Sequence, residues 1–96
     1  MSTDNTISMA QLLKEAATLV IDDRSKQHGD VIENHRHIAE LWNGYLHESL
    51  TRHITPADAA NMMELLKVAR RKTGQFNADD FIDAAGYAAV AHECSK

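Results

Sequence analysis

The sequence predicts an all-α fold, a four-helix bundle. Apolar residues recur at helical spacing in four segments. No segment alternates apolar and polar residues with period two, the mark of a half-buried strand. The single proline, Pro56, stands where a helix would begin rather than where one would break. Short connectors favour antiparallel neighbours, and no internal repeat is visible.

Residues 1–7 are polar and are expected to form a flexible N-terminus, with 8–96 as one helical domain. The first helix starts at Ser8. Ser8 and Gln11 have capping-box spacing, and Met9, Leu12, Leu13, Ala16, Leu19 and Val20 mark an apolar face. That face ends near Arg24, and Ser25–Gly29 reads as a polar connector. Asp30 caps the second helix, with Glu33 in a second capping-box arrangement. Its stripe is Val31, Ile38, Leu41, Trp42, Tyr45 and Leu46. At 100° per residue, Asn34 falls on the edge of the stripe and His35 inside it, so both need polar partners there. Glu33, His37, Glu40 and His47 fall opposite.

Leu50–Ile54 reads as a loop. Thr55-Pro56-Ala57-Asp58 opens the third helix with a cap, a first-turn proline and an acid. Ala59, Met62, Met63, Leu66 and Ala69 are its expected core face, with Leu65 at the margin. Basic residues at 70–72 suit the C-terminal end, and Gly74 is a plausible residue for the turn beyond it. Asn77 caps the fourth helix. Ile82, Ala85 and Ala89 are the centre of its expected buried face, with Asp80, Asp83 and Tyr87 roughly opposite. Small residues on nearly every side of this helix, Gly86 among them, point to close approach from more than one direction.

Ninety-six residues make one domain of a size that leaves stability marginal, which favours oligomerisation. The formal net charge of −4 argues against a nucleic-acid backbone as the main partner, because such binding relies on clustered Lys and Arg. The one cysteine, Cys94, cannot form an internal disulfide, which points to a reducing, cytoplasmic setting. No apolar run approaches a membrane span, and MSTDNTIS lacks the features of a signal peptide. His35 and His37 diverge by about 200° on a helix and cannot chelate together, and no HExxH or paired CxxC supports zinc.

The chemistry lies in the third and fourth helices. Asp80 and Asp83 are one turn apart and could line a polar cleft and hold Mg²⁺, which prefers oxygen ligands and keeps waters for a phosphate to replace. The alternative is an acidic first turn that complements the helix dipole and faces water. Lys67 and Arg70 could bind phosphate oxygens, could lay their stems over apolar surface, or could form salt bridges to Asp80 or Asp83.

HGD at 28–30, Asn34, IAELW at 38–42, ITPADAANMMELLKVAR at 54–70 and DDFIDAAGYAAVA at 79–91 together resemble a group of small phage and prophage domains of uncharacterised function. Those domains in turn resemble the all-α nucleoside triphosphate pyrophosphatase superfamily, the MazG-like proteins. The resemblance implies a MazG-like bundle that assembles as a homodimer or higher oligomer in the host cytoplasm. It implies Mg²⁺ held by an E-x-x-E and an E-x-x-D motif, and hydrolysis of a (d)NTP at the α-phosphorus with release of pyrophosphate. Asp80-x-x-Asp83 matches the second motif. Glu64-x-x-Lys67 stands where the first would be sought, and a lysine cannot ligate Mg²⁺. The expected site therefore has Asp80 and Asp83 as catalytic metal ligands, with Asp30 assisting. Asn34, Lys67, Arg70 and Tyr87 contact the nucleotide or another phosphorylated small molecule. A nucleotide-sequestering protein without turnover, or a module that docks on a host protein, would use the same faces.

Overall fold

The computed structural model describes residues 6–24 and 30–96. The described residues form four α-helices and no strand: α1 (Met9–Thr18), α2 (Val31–Leu46), α3 (Pro56–Arg70) and α4 (Ala78–Cys94). The expected connector Ser25–Gly29, residues 1–5 and the His28-Gly29 part of the family pattern lie outside the described residues.

Each helix begins where the side-chain chemistry requires. Ser8 Oγ accepts from the Gln11 amide at 3.1 Å. Asp30 Oδ1 accepts from the amides of Ile32 and Glu33 at 2.8 and 3.3 Å. Glu33 does not complete the expected box; both its oxygens meet the Arg36 guanidinium instead. At α3 the box is complete: Thr55 Oγ1 accepts from Asp58 N, and Asp58 Oδ2 accepts from Thr55 N, each at 3.0 Å. Arg52 reaches forward onto the same carboxylate at 2.6 and 3.2 Å. Asn77 Oδ1 accepts from Asp79 N at 3.0 Å to open α4.

The connections are held as firmly. After α1 the chain continues as a wider π-helical turn, Leu19–Arg24. After α2 it passes through a 3₁₀ turn, His47–Ser49, and returns along the side-chain amide of Asn43. That amide donates to Ile54 O at 2.9 Å and accepts from Ile54 N at 2.7 Å, much as a neighbouring strand would. Between α3 and α4, Gly74 takes the left-handed φ of 72° that a side chain would disfavour. Arg71 stacks over the Phe81 ring, 4.1 Å from its centre, and Phe76 meets the same ring, closing the turn.

α4 is the central helix. It packs against α3 along its whole length, against α1 and the π-turn on another side, and against α2 at its C-terminal half. Close approach from more than one direction therefore holds. The α3–α4 register is antiparallel and regular: Arg70 meets Asp80, Lys67 meets Asp83, Met63 and Tyr87 line one cleft, and Ala60 packs on Val90 and Ala91.

Several faces differ from expectation. On α4 the side carrying Asp80, Ala84, Tyr87 and Ala91 is buried, whereas Ala89, expected at the centre of the core face, is exposed. The reason is that α3 and α1 flank α4, so Ile82 and Tyr87 are both interior. On α3 the core uses Ala59 and Ala60, while Met62, Leu66 and Ala69 face outward. On α2 the core uses His35 and Ala39, while Leu41 and Tyr45 are exposed. On α1 only Ala16 is fully buried; Met9 and Leu13 are exposed, and the helix leans on its Leu12–Glu15–Leu19 row. Close helix approach selects small side chains at the contacts and pushes large ones to the flanks.

Candidate functional site

A cleft of about 410 Å³ opens between α2, α3 and α4. Val31, Asn34, His35, His37, Ile38 and Leu41 form one wall, with Met63 and Tyr87 opposite. Asn34 and Tyr87, both expected at the site, thus share one cleft. His35, read from sequence as a hydrogen-bonded core histidine, is 3% exposed. Its Nδ1 donates to Val31 O at 2.9 Å, since a carbonyl can only accept. That leaves Nε2 buried with no hydrogen-bond partner among the described residues, beside the Tyr87 ring at 6.2 Å between centres.

The charged residues lie next to this cleft. From Met63 to Lys67 is one helical turn along α3, and from Tyr87 to Asp83 is one turn back along α4, about 6 Å each. Lys67 Nζ meets Asp83 Oδ2 at 3.2 Å, and the two side chains are 15% and 17% exposed. One turn further, Arg70 Nε stands 3.6 Å from Asp80 Oδ1; that carboxylate is buried while the Arg70 side chain is 58% exposed. Of the alternatives open at the sequence level for Lys67 and Arg70, the salt bridges to Asp83 and Asp80 are the ones formed.

Asp30 does not join this set. Its Oδ1 is used as the α2 cap, and its charge acts on Cys94 at the far end of α4. Eleven residues of helix separate Cys94 from Asp83, roughly 16 Å. Burial, with the Glu93 and Asp30 charges, raises the Cys94 thiol above its ordinary pKa. Glu64, on α3, is half-buried and lies outside the cleft lining.

Two acidic residues that the motif reading passed over belong to this end of the bundle. Burial raises the Asp79 carboxyl above the usual carboxylate range, and the charges of Asp83 and then Glu15 raise it further. Asp79 Oδ1 is buried and accepts no hydrogen bond among the described residues. Glu15 was legible in principle: it sits between Leu12 and Leu19 on the inward row of α1, where an acid is out of place. Asp79 and Asp83 are four residues apart on α4, so their carboxylates flank one turn. Among the described residues no three His, Cys, Asp or Glu side chains converge on one point. Mg²⁺ does not require three, because it binds through one or two carboxylates and keeps waters or phosphate oxygens on its other positions. An orphaned buried oxygen in a negative field fits such an ion.

No helix among the described residues is long and apolar enough to cross a membrane. Residues 11–95 match the family described as Domain of unknown function (DUF6378). The chain is 42% identical over 77 residues to the Gene 55 protein of Mycobacterium phage D29, covering 80% of this chain and 48% of that protein. It is 39% identical over 79 residues to the Gene 55 protein of Mycobacterium phage L5, covering 82% of this chain and 49% of that one. The chain therefore spans about half the length of the curated relatives it matches. No solved structure matches it.

Proposed function

This chain belongs to the DUF6378 family, which has mycobacteriophage members, and from that premise we propose that it binds a nucleotide and hydrolyses it with Mg²⁺, as a MazG-like (d)NTP pyrophosphohydrolase in the host cytoplasm. One observation carries the reading. Along a single seam an apolar, aromatic-lined cleft is followed at successive turns by Lys67–Asp83 and Arg70–Asp80. That order, ring-sized cleft and then charge, suits a base followed by its phosphates. Tyr87, His35, Ile38 and Met63 would enclose the base, with Asn34 at its edge. Lys67 and Arg70 would hold phosphate oxygens, for which the Arg fork is matched. Asp83, with Asp79 and Asp80, would hold the Mg²⁺. That ion, when bound, supplies charge stabilisation on the phosphoryl oxygens.

One observation favours a second reading, sequestration without turnover. Both carboxylates of the Asp80-x-x-Asp83 motif are already met by cations, and the position that would complete an E-x-x-E motif is Lys67 itself.

A nucleotide panel incubated with protein and Mg²⁺ separates the two. Pyrophosphate release that disappears in Asp83→Ala, with the helical circular dichroism signal retained, is the expected result. Full activity in that variant would place the site elsewhere. Sequestration gives no pyrophosphate but a thermal shift: a ligand at 100 times its Kd adds about 2.7 kcal/mol of stability. If no nucleotide does either, the nucleotide reading is wrong.

A further inference from the structure

We propose that the Lys67–Asp83 pair is an exchangeable latch, in which each side chain holds the place of an opposite charge on the ligand. The metal cation and the phosphate are then admitted together, and neither binds well alone. This deepens the reading of the seam as a metal–phosphate site and rests on it.

The geometry supplies the reason. Lys67 and Asp83 touch at 3.2 Å with more than four-fifths of each side chain out of water. Breaking such a pair by removing one partner is costly because the other is left as an uncompensated buried charge. A phosphate arriving alone takes Lys67 and strands Asp83. A divalent cation arriving alone takes Asp83, already in the field of Asp79, and strands Lys67. When both arrive, each buried charge exchanges one partner for another. The result is a coupling free energy between the two ligands, reciprocal by linkage.

The neighbouring pair provides an internal control. Arg70 contacts Asp80 at 3.6 Å with 58% of its side chain exposed, so water can take over its solvation when the contact opens. Asp80 is only 10% exposed, so losing Arg70 would strand it, whereas losing Asp80 leaves Arg70 to water; the control is therefore Asp80→Asn.

The probes are Mn²⁺ alone, followed by electron paramagnetic resonance, and tripolyphosphate alone in EDTA, followed by calorimetry, on the full chain. Lys67→Met should bind Mn²⁺ about tenfold more tightly than the unsubstituted chain, and Asp83→Asn should bind tripolyphosphate about tenfold more tightly. Asp80→Asn should change the tripolyphosphate affinity by less than about twofold, the exposed Arg70 that it frees being already compensated by water. Equal gains in tripolyphosphate binding in Asp80→Asn and Asp83→Asn would mean general electrostatics and would overturn the latch. So would unchanged or weaker Mn²⁺ binding in Lys67→Met, the result of a purely structural ion pair. Should a variant fail to fold, the ¹⁵N–¹H signal of the Lys67 ammonium in the unsubstituted chain decides. With Mg²⁺ in place of Mn²⁺, it stays in place with either probe alone and shifts with both; a shift with tripolyphosphate alone overturns the proposal. Tight, independent binding of each probe removes the latch and leaves the site. No binding of the probes, alone or together, removes both.

Discussion

Asp79 destabilises the ionised fold. Burial, Asp83 and Glu15 each disfavour its carboxylate, so its folded pKa lies above the unfolded value of about 3.9. For an acid shifted in this direction, the favourable contribution exists below the unfolded pKa and is lost as pH rises through the folded one. Asp79→Asn is therefore expected to raise the thermal midpoint at pH 7, and the gain should vanish near pH 3, where the native carboxyl is already protonated. A gain that does not change with pH would mean that the effect is not electrostatic. Asp58 works with the opposite sign. The Arg52 guanidinium and the Thr55 amide hold its carboxyl well below the usual range, so its contribution is present above about pH 4 and is lost as pH falls. Arg52–Asp58 is largely at the surface, and solvent screening keeps that contribution small. A residue retained at a stability cost beside a candidate phosphate seam is the pattern of a functional group, and Asp58 is the pattern of a structural one.

At the scale of elements, Gly86 shows why α1 and α4 sit as they do. A glycine in mid-helix costs helix propensity, and it is most useful where another backbone approaches closely. The neighbours are instead the side-chain ends of Val20 and Leu19, which a Cβ would meet at 3.5 and 3.7 Å. Those are ordinary contacts, so a methyl group fits. Gly86→Ala is expected to stabilise the protein by up to about 1 kcal/mol from helix propensity alone, measured by urea denaturation. A loss of stability would mean that the π-turn seats more closely than this. The caps at Ser8, Asp30, Thr55 and Asn77 were legible because each depends on one side chain and amides within three residues of it. The buried faces were less so. Every helix carries more apolar residues than its contacts can cover, and the choice between Ala60 and Met62 on α3 is made by how closely α4 approaches. The pairing of Lys67 with Asp83 and Arg70 with Asp80 was legible as one of several options, because both pairs are set by the antiparallel register across one turn. Glu15 was legible from its place on the inward row of α1, whereas the burial of Asp79 and the cleft were not, since they depend on where α1 and α2 cross α4.

For the whole molecule the question is what covers its outer apolar surface. Among the described residues only Ile82 and Val90 are large side chains that are fully buried. Leu41, Tyr45, Met62, Leu65 and Leu66 lie exposed along α2 and α3, Tyr45 at 87% and Leu65 at 64%. The Cα radius of gyration is 14.4 Å, against about 12.5 Å for a compact domain of this length. A chain with so little interior is expected to gain by pairing this exposed surface with another copy. A standard interface buries ~800 Å² per partner. Leu41 lines the cleft as well, so the same contact would wall its open side. Sedimentation velocity is expected to show a dimer that dissociates on dilution. Tyr45→Lys and Leu65→Glu should each weaken it by at least about tenfold, or 1.4 kcal/mol, with unchanged helical content, because both side chains point away from the monomer's own core. Any nucleotide affinity of the cleft is expected to fall along with the dimer. A chain that stays monomeric at about 100 μM, far above the dissociation constants usual for standard-size interfaces, would rule this dimer out.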